Sequence, residues 1–159
     1  MGKAGVRTVV VRKWMTFLLL ISTAVVIGAV TLSLSGRAYA KVDPIPLRDV
    51  RVLARRFSEG PMPTATVIAL IMPMILNILL FLPLGFLMFI LMDKPERPTI
   101  QSYLFTFLFA LAFSLSIEAL QYFLPTRVTD INDVIWNGVG ALVGAVLGHL
   151  RKRVRVAFD

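Results

Sequence analysis

The chain alternates long uncharged runs with short polar interruptions, and that alternation predicts its elements. A basic start, MGKAGVRTVVVRK, leads into an apolar run from Trp14 to about Ser35. A second run, Thr64 to Met92, carries no charge and is longer than one straight span needs. A third extends from about Ile100 to Leu124, and a fourth starts near Ile131 and ends before Arg151. At 1.5 Å rise per residue each is long enough to cross a bilayer as a helix. The expected architecture is all-α, one polytopic membrane domain with helices at about 14–35, 66–92, 100–124 and 132–150.

The interruptions differ in character. Residues 36–63 form a polar connection in which Leu47, Val50, Leu53 (with Ala54) and Phe57 recur at helical spacing, with Arg48, Asp49, Arg51, Arg55 and Arg56 between them. That pattern predicts a short amphipathic helix at the membrane surface, with a solvated loop as its rival. The turn DKPERP, with two prolines and four charges, is a clear break. Pro73 and Pro83 fall inside the second run, where proline removes a backbone donor and crowds the preceding turn. A kinked or tilted helix, or one preceded by a dipping segment, is the expectation there.

Composition confirms the class. The chain of 159 residues is 57% hydrophobic and only 16% charged, values that soluble domains do not show. A net charge of +8 raises the question of nucleic acid, but the basic residues flank apolar spans, which is the pattern of membrane topology. No nucleic-acid partner is expected. Placing both termini inside puts ten lysines and arginines on the cytoplasmic side and seven outside. The expected orientation is therefore N-in and C-in. One rival concerns the first helix: Ala38-Tyr39-Ala40 resembles a signal-peptide cleavage site, with the cut after Ala40. The run is long for a signal peptide and Arg37 adjoins the site, which favours a retained helix.

The candidate chemistry sits in and beside the last two spans. Glu118 and Gln121 fall three apart, and Asp133 and Asn137 four apart, so each pair shares a helix face. The turn between the spans carries Arg127 and Asp130. Helix rise puts Glu118 and Asn137 roughly 10 Å below the outer end, with Asn77 of the second run at about 15 Å. Three helices can thus bring polar side chains to one depth. An ionisable group there must face the bundle interior or a pocket and find a partner. Arg127 and Gln121 are the local candidates for Glu118, and Asn77 and Asn137 the cross-helix ones. The rival reading is that these residues only hydrogen-bond the helices together. Gly140, Gly144 and Gly148, with Ala141 and Ala145 adjacent, form a small-residue stripe that lets another backbone approach. There is no cysteine, and the single histidine, His149, reads as an interfacial residue.

Taken together, Asn77-ILLFLPLG, Glu118-x2-Gln121, Arg127, Asp130, Asp133, Asn137, Gly140 and Gly144 resemble the VanZ-like family. The resemblance covers about Asn77 to Gly148. It implies a bacterial plasma-membrane protein from a family whose named member is associated with teicoplanin resistance, and it supplies no reaction.

Three functions compete. The first is an outward-facing pocket for an anionic lipid or a lipid-linked cell-wall precursor, with Arg127 and the last helix's N-terminus near the head group. The second is an intramembrane enzyme with Glu118 as general base, in which Asp130 and Asp133 hold Mg²⁺. No Ser–His pair, HExxH or aspartate-rich prenyl motif accompanies it, and outside that alternative no cofactor or metal is expected. The third is a structural role in which the polar cluster only locks the helices.

Overall fold

The computed structural model describes residues 13–33, 42–124 and 128–151. Arg127, the Ala38–Ala40 site and most of the terminal basic clusters lie outside these described residues. Five helices and two very short strands make up the rest: α1 (Lys13–Ser33), β1 (Val42–Asp43), α2 (Arg48–Glu59), α3 (Thr64–Met92), α4 (Thr99–Tyr122), β2 (Thr129–Asp130) and α5 (Ile131–Arg151). Four of them, α1, α3, α4 and α5, are long and apolar enough to cross a membrane. The chain is an all-α polytopic membrane protein.

The apolar runs become helices because a bilayer offers the backbone no hydrogen-bond partner, so every span must satisfy its own. α3 is one continuous 29-residue helix through both Pro73 and Pro83. Each proline removes the donor for the carbonyl four residues earlier, at Ala69 and Leu79. α3 is the hub of the bundle. It packs most closely on α5, and also on α1 and α4, while α4 packs on α5.

α3 and α5 run parallel and meet backbone to backbone. A Cβ added at Gly140 would overlap Ile78 backbone atoms, one at Gly144 the Leu82 carbonyl, and one at Gly85 of α3 the Ala141 backbone. At Gly148 it would stand 3.1 Å from the Phe89 ring. Only a residue without a side chain permits this approach. Phe81, Leu84, Ala110, Ile117 and Ala141 fill the core around it. Lipid-facing side chains such as Leu142, Val143, Val146 and Leu147 are exposed on the opposite face of α5.

At the opposite end of α5, His149 packs in an aromatic group with Phe89 and Tyr103, its ring stacked on Tyr103 at 5.9 Å.

The connection between α1 and α3 contains more than a surface helix. α2 buries none of its residues, and its arginines and Phe57 are exposed. Ahead of it, β1 pairs in parallel with β2, Val42 opposite Thr129 and Asp43 opposite Asp130. The expectation for residues 36–63 lacked this pairing. Two residues are too few to leave a periodic signal, and their partner lies about ninety positions away.

Candidate functional site

The start of α5 is built by carboxylates. Asp130 precedes the helix, and its Oδ1 accepts the Asn132 backbone N–H and the Asn132 side-chain N–H, both at 2.8 Å. This is the N-cap role that aspartate performs well, satisfying an amide that has no partner within the helix. One helix away, buried Glu118 accepts the Asp130 backbone N–H through Oε2 at 2.9 Å, and its carbonyl accepts the Thr129 hydroxyl at 3.2 Å. Asn132 reaches further and donates to the Ile45 carbonyl at 3.2 Å. The turn, the α4 carboxylate and the β1 connection thus form one polar cap over this end of the bundle.

Below the cap, three side-chain amides tie pairs of helices. Asn77 of α3 donates to Asp133 of α5 at 2.6 Å. Asn137 of α5 donates to the Ser114 hydroxyl of α4 at 2.9 Å. Gln121 of α4 donates to the Thr31 carbonyl of α1 at 3.2 Å. Asn77, Glu118, Gln121, Asp133 and Asn137 line a single cavity of about 450 Å³, together with Val30, Thr31, Pro73, Leu76, Leu80 and Ile117. Val30, Pro73 and Leu76 are also exposed on the bundle surface, so the cavity reaches that surface between α1 and α3.

Asp130 does not line this cavity. It lies on the other side of Glu118, in a smaller space of about 230 Å³ with Asp43, Pro44, Leu115, Thr129 and Val134. Asp130 and Asp133, three apart in sequence, therefore face different cavities. Among the described residues no three acidic or histidine side chains are grouped to hold a metal ion.

The chain matches the VanZ/LLP1 family over residues 9–152. It belongs to that family. Neither a curated protein nor a solved structure matches it.

In this VanZ/LLP1 chain the cap also carries charges outside the spans. Arg48 pairs with Asp43, and that hydrogen bond, reinforced by the carboxylate charge, raises the guanidinium pKa. Asp49 is pushed up, first by its partial burial and then by the nearby charge of Asp130.

Asn132, Thr129, Thr31 and Ser114 had no place among the candidates read from sequence. Asn132 had a usable signal, because Asp-Ile-Asn-Asp before an apolar run is a helix-start pattern. Thr31 and Ser114 had none. Threonine and serine are common in membrane helices, and nothing in their spacing separates these two from Thr23 or Ser116. Buried acceptors remain within the site. Among the described residues, none donates a hydrogen bond to Gln121 Oε1, Asn132 Oδ1 or Asn137 Oδ1.

Proposed function

We propose that this VanZ/LLP1 protein binds a lipid, or a lipid-linked component of the cell envelope, along the seam between α1 and α3. The observation that supports this reading is the adjacency of two spaces. The polar cavity shares Leu80 with a second, apolar groove of about 350 Å³ lined by Leu19, Ser22, Thr23, Val26, Ile27, Leu79 and Pro83. From Leu19 to Ile27 the groove follows α1 for about 12 Å. A polar chamber above an apolar channel, opening where the bundle meets hydrocarbon, has the two-part chemistry of a lipid: a head that needs hydrogen bonds and a chain that needs none.

The terminal basic clusters favour the N-in, C-in orientation, which sets the cap and the cavity at the outer face of a bacterial plasma membrane. A lipid or precursor held there would link the protein to glycopeptide susceptibility by changing what the surface displays. No catalytic step is assigned.

The experiment is native mass spectrometry of the purified protein. Val26 lines the groove yet is 57% exposed, so Val26→Trp fills the channel without invading the core; Val25→Trp, on the exposed surface away from it, is the control. Wild type and the Val25 variant should carry a co-purified lipid that the Val26 variant loses. Equal lipid on all three would sink the proposal.

A second reading is favoured by a specific feature of the same site. Asn77, Gln121 and Asn137 each bond across a helix pair, as a purely structural lock would require. Under it, all three proteins emerge bare and folded.

A further inference from the structure

Among the described helices, α2 alone neither spans the bilayer nor enters the core. Its 12 residues extend about 18 Å, too short to cross, and none of them is buried. Positive-φ residues turn the chain at both ends, Leu47 (φ 55°) and Gly60 (φ 138°), so α2 is a separate element rather than an extension of α3. Its position is nevertheless confined. The β1–β2 pair fixes residues 42–43 to the head of α5, and only residues 60–63 separate α2 from α3. Four residues reach at most about 14 Å, which keeps α2 at the end of the bundle where the spans leave the hydrocarbon.

The helix divides into two sides. At about 100° per residue, Leu47, Val50, Leu53, Ala54 and Phe57 share one side, and Arg48, Arg55 and Glu59 the opposite one. The described residues leave the apolar side open: Leu47 is 39% exposed, Val50 37% and Phe57 60%. The charges are sorted as well. Four arginines outnumber Asp49 and Glu59. Arg48 pairs with Asp43 and Arg55 with Glu59. Arg51 and Arg56 take part in neither pair, are exposed, and lie on the two flanks of the apolar side.

We propose that α2 docks on anionic lipid at the cap side of the membrane, its apolar side at the acyl-chain boundary and Arg51 and Arg56 on the phosphates. An apolar face is stable there, and long arginine side chains reach from its flanks to the head groups. Each guanidinium offers a phosphate a fork of donors. A lipid whose head group carries no cation of its own leaves that phosphate charge uncompensated, so anionic lipid is preferred. This surface is separate from the cavity beside α1, and the proposal holds whether or not that cavity takes a ligand.

The test uses the whole chain in lipid nanodiscs. The protein has no cysteine, so Val50→Cys, Phe57→Cys and Arg55→Cys each give a single attachment point for a nitrobenzoxadiazole fluorophore. Labels at 50 and 57 should be quenched by doxyl groups on lipid chains and shielded from iodide in the water. The label at 55 should show the reverse. In a mixed bilayer, doxyl-phosphatidylglycerol should be enriched about fivefold over doxyl-phosphatidylcholine around position 57 at low salt. Arg51→Gln/Arg56→Gln should abolish that preference and leave the iodide shielding unchanged.

Iodide quenching that is equal at all three positions would overturn the proposal, because α2 would then be a solvated helix. Shielding of 50 and 57 from both quenchers would overturn it too, since protein, from this chain or a second copy, would be the cover. Equal quenching by the two doxyl lipids, or a preference that survives the double arginine variant, would remove the anionic docking.

Discussion

α3 presents two seams, and they are opposites. Against α5 it closes on glycine until backbones touch, with no space between Leu82 and Gly144 for one methyl group. Against α1 it leaves an apolar groove and a polar cavity, lined by side chains rather than backbone. The difference is one of residue size and placement. Gly140, Gly144 and Gly148 recur every four residues on the α5 face, so the helices can close along about two turns. On the α1 side, Leu79, Leu80 and Pro83 hold the helices apart, and α1 itself buries few residues, Leu20 and Ile27 among them. The closed seam leaves no room between its helices. The open one has room for a ligand.

The largest expected effect breaks the closed seam. Gly144→Ala places a methyl group against the Leu82 carbonyl and 2.7 Å from the Phe86 amide nitrogen. Both obstacles are backbone, so relief requires separating the helices, at a cost of about 3 kcal/mol. Gly28→Ala is the counterpart in α1, where an added Cβ meets nothing within 4 Å. It should be neutral or slightly stabilising. Thermal unfolding in detergent measures both. If the two alanines behave alike, the distinction between the seams is wrong.

The next effect falls where the seams meet, at Asn77. Its bond to Asp133 joins α3 to α5, and its side chain also lines the α1-side cavity. Asn77→Leu removes the amide from a carboxylate and should cost about 2 kcal/mol. Pairing it with Asp133→Leu should cost less than the two single losses combined, because both remove the same hydrogen bond. A double variant as unstable as the sum of the singles would show that the two side chains act independently.

The smallest effect lies in the cap, above both seams. Asp49 has a raised pKa, so the folded state holds its proton more tightly than the unfolded state does. Stability from this group is therefore lost as pH rises through and above the ordinary carboxylate range, and is recovered on acidification. Asp49→Asn removes the dependence. The variant should gain on wild type by less than about 1 kcal/mol between about pH 4 and pH 7. Melting temperatures across that range would test the sign, and a variant that loses ground as pH rises would reverse it.

Part of this site is legible in the sequence, and part is not. Glu118, Gln121, Asp133 and Asn137 stand out because a charge or amide inside an apolar run is rare, and Asn77 because it lies alone between two prolines. All five line one cavity. Who bonds to whom is not legible. Gln121 and Arg127 are the local candidates to partner Glu118, yet one partner in the structure is the Asp130 backbone amide, which no side-chain pattern announces. Asp130 reads as a fellow of Asp133, three residues on, but its capping role turns it towards a different space.

By itself the sequence determined the class, the four spans and the spacing of the glycine stripe. These follow from local rules: the solvent for each segment, and the period of a helix. Only the tertiary structure decided that α5 packs in parallel on α3, that β1 reaches β2, and that the seam left open is the one beside α1. Those outcomes depend on contacts between residues fifty to ninety positions apart. Among several apolar faces of similar composition, close packing selects the pair that fits, and fit is a property of two surfaces that neither segment of sequence carries alone.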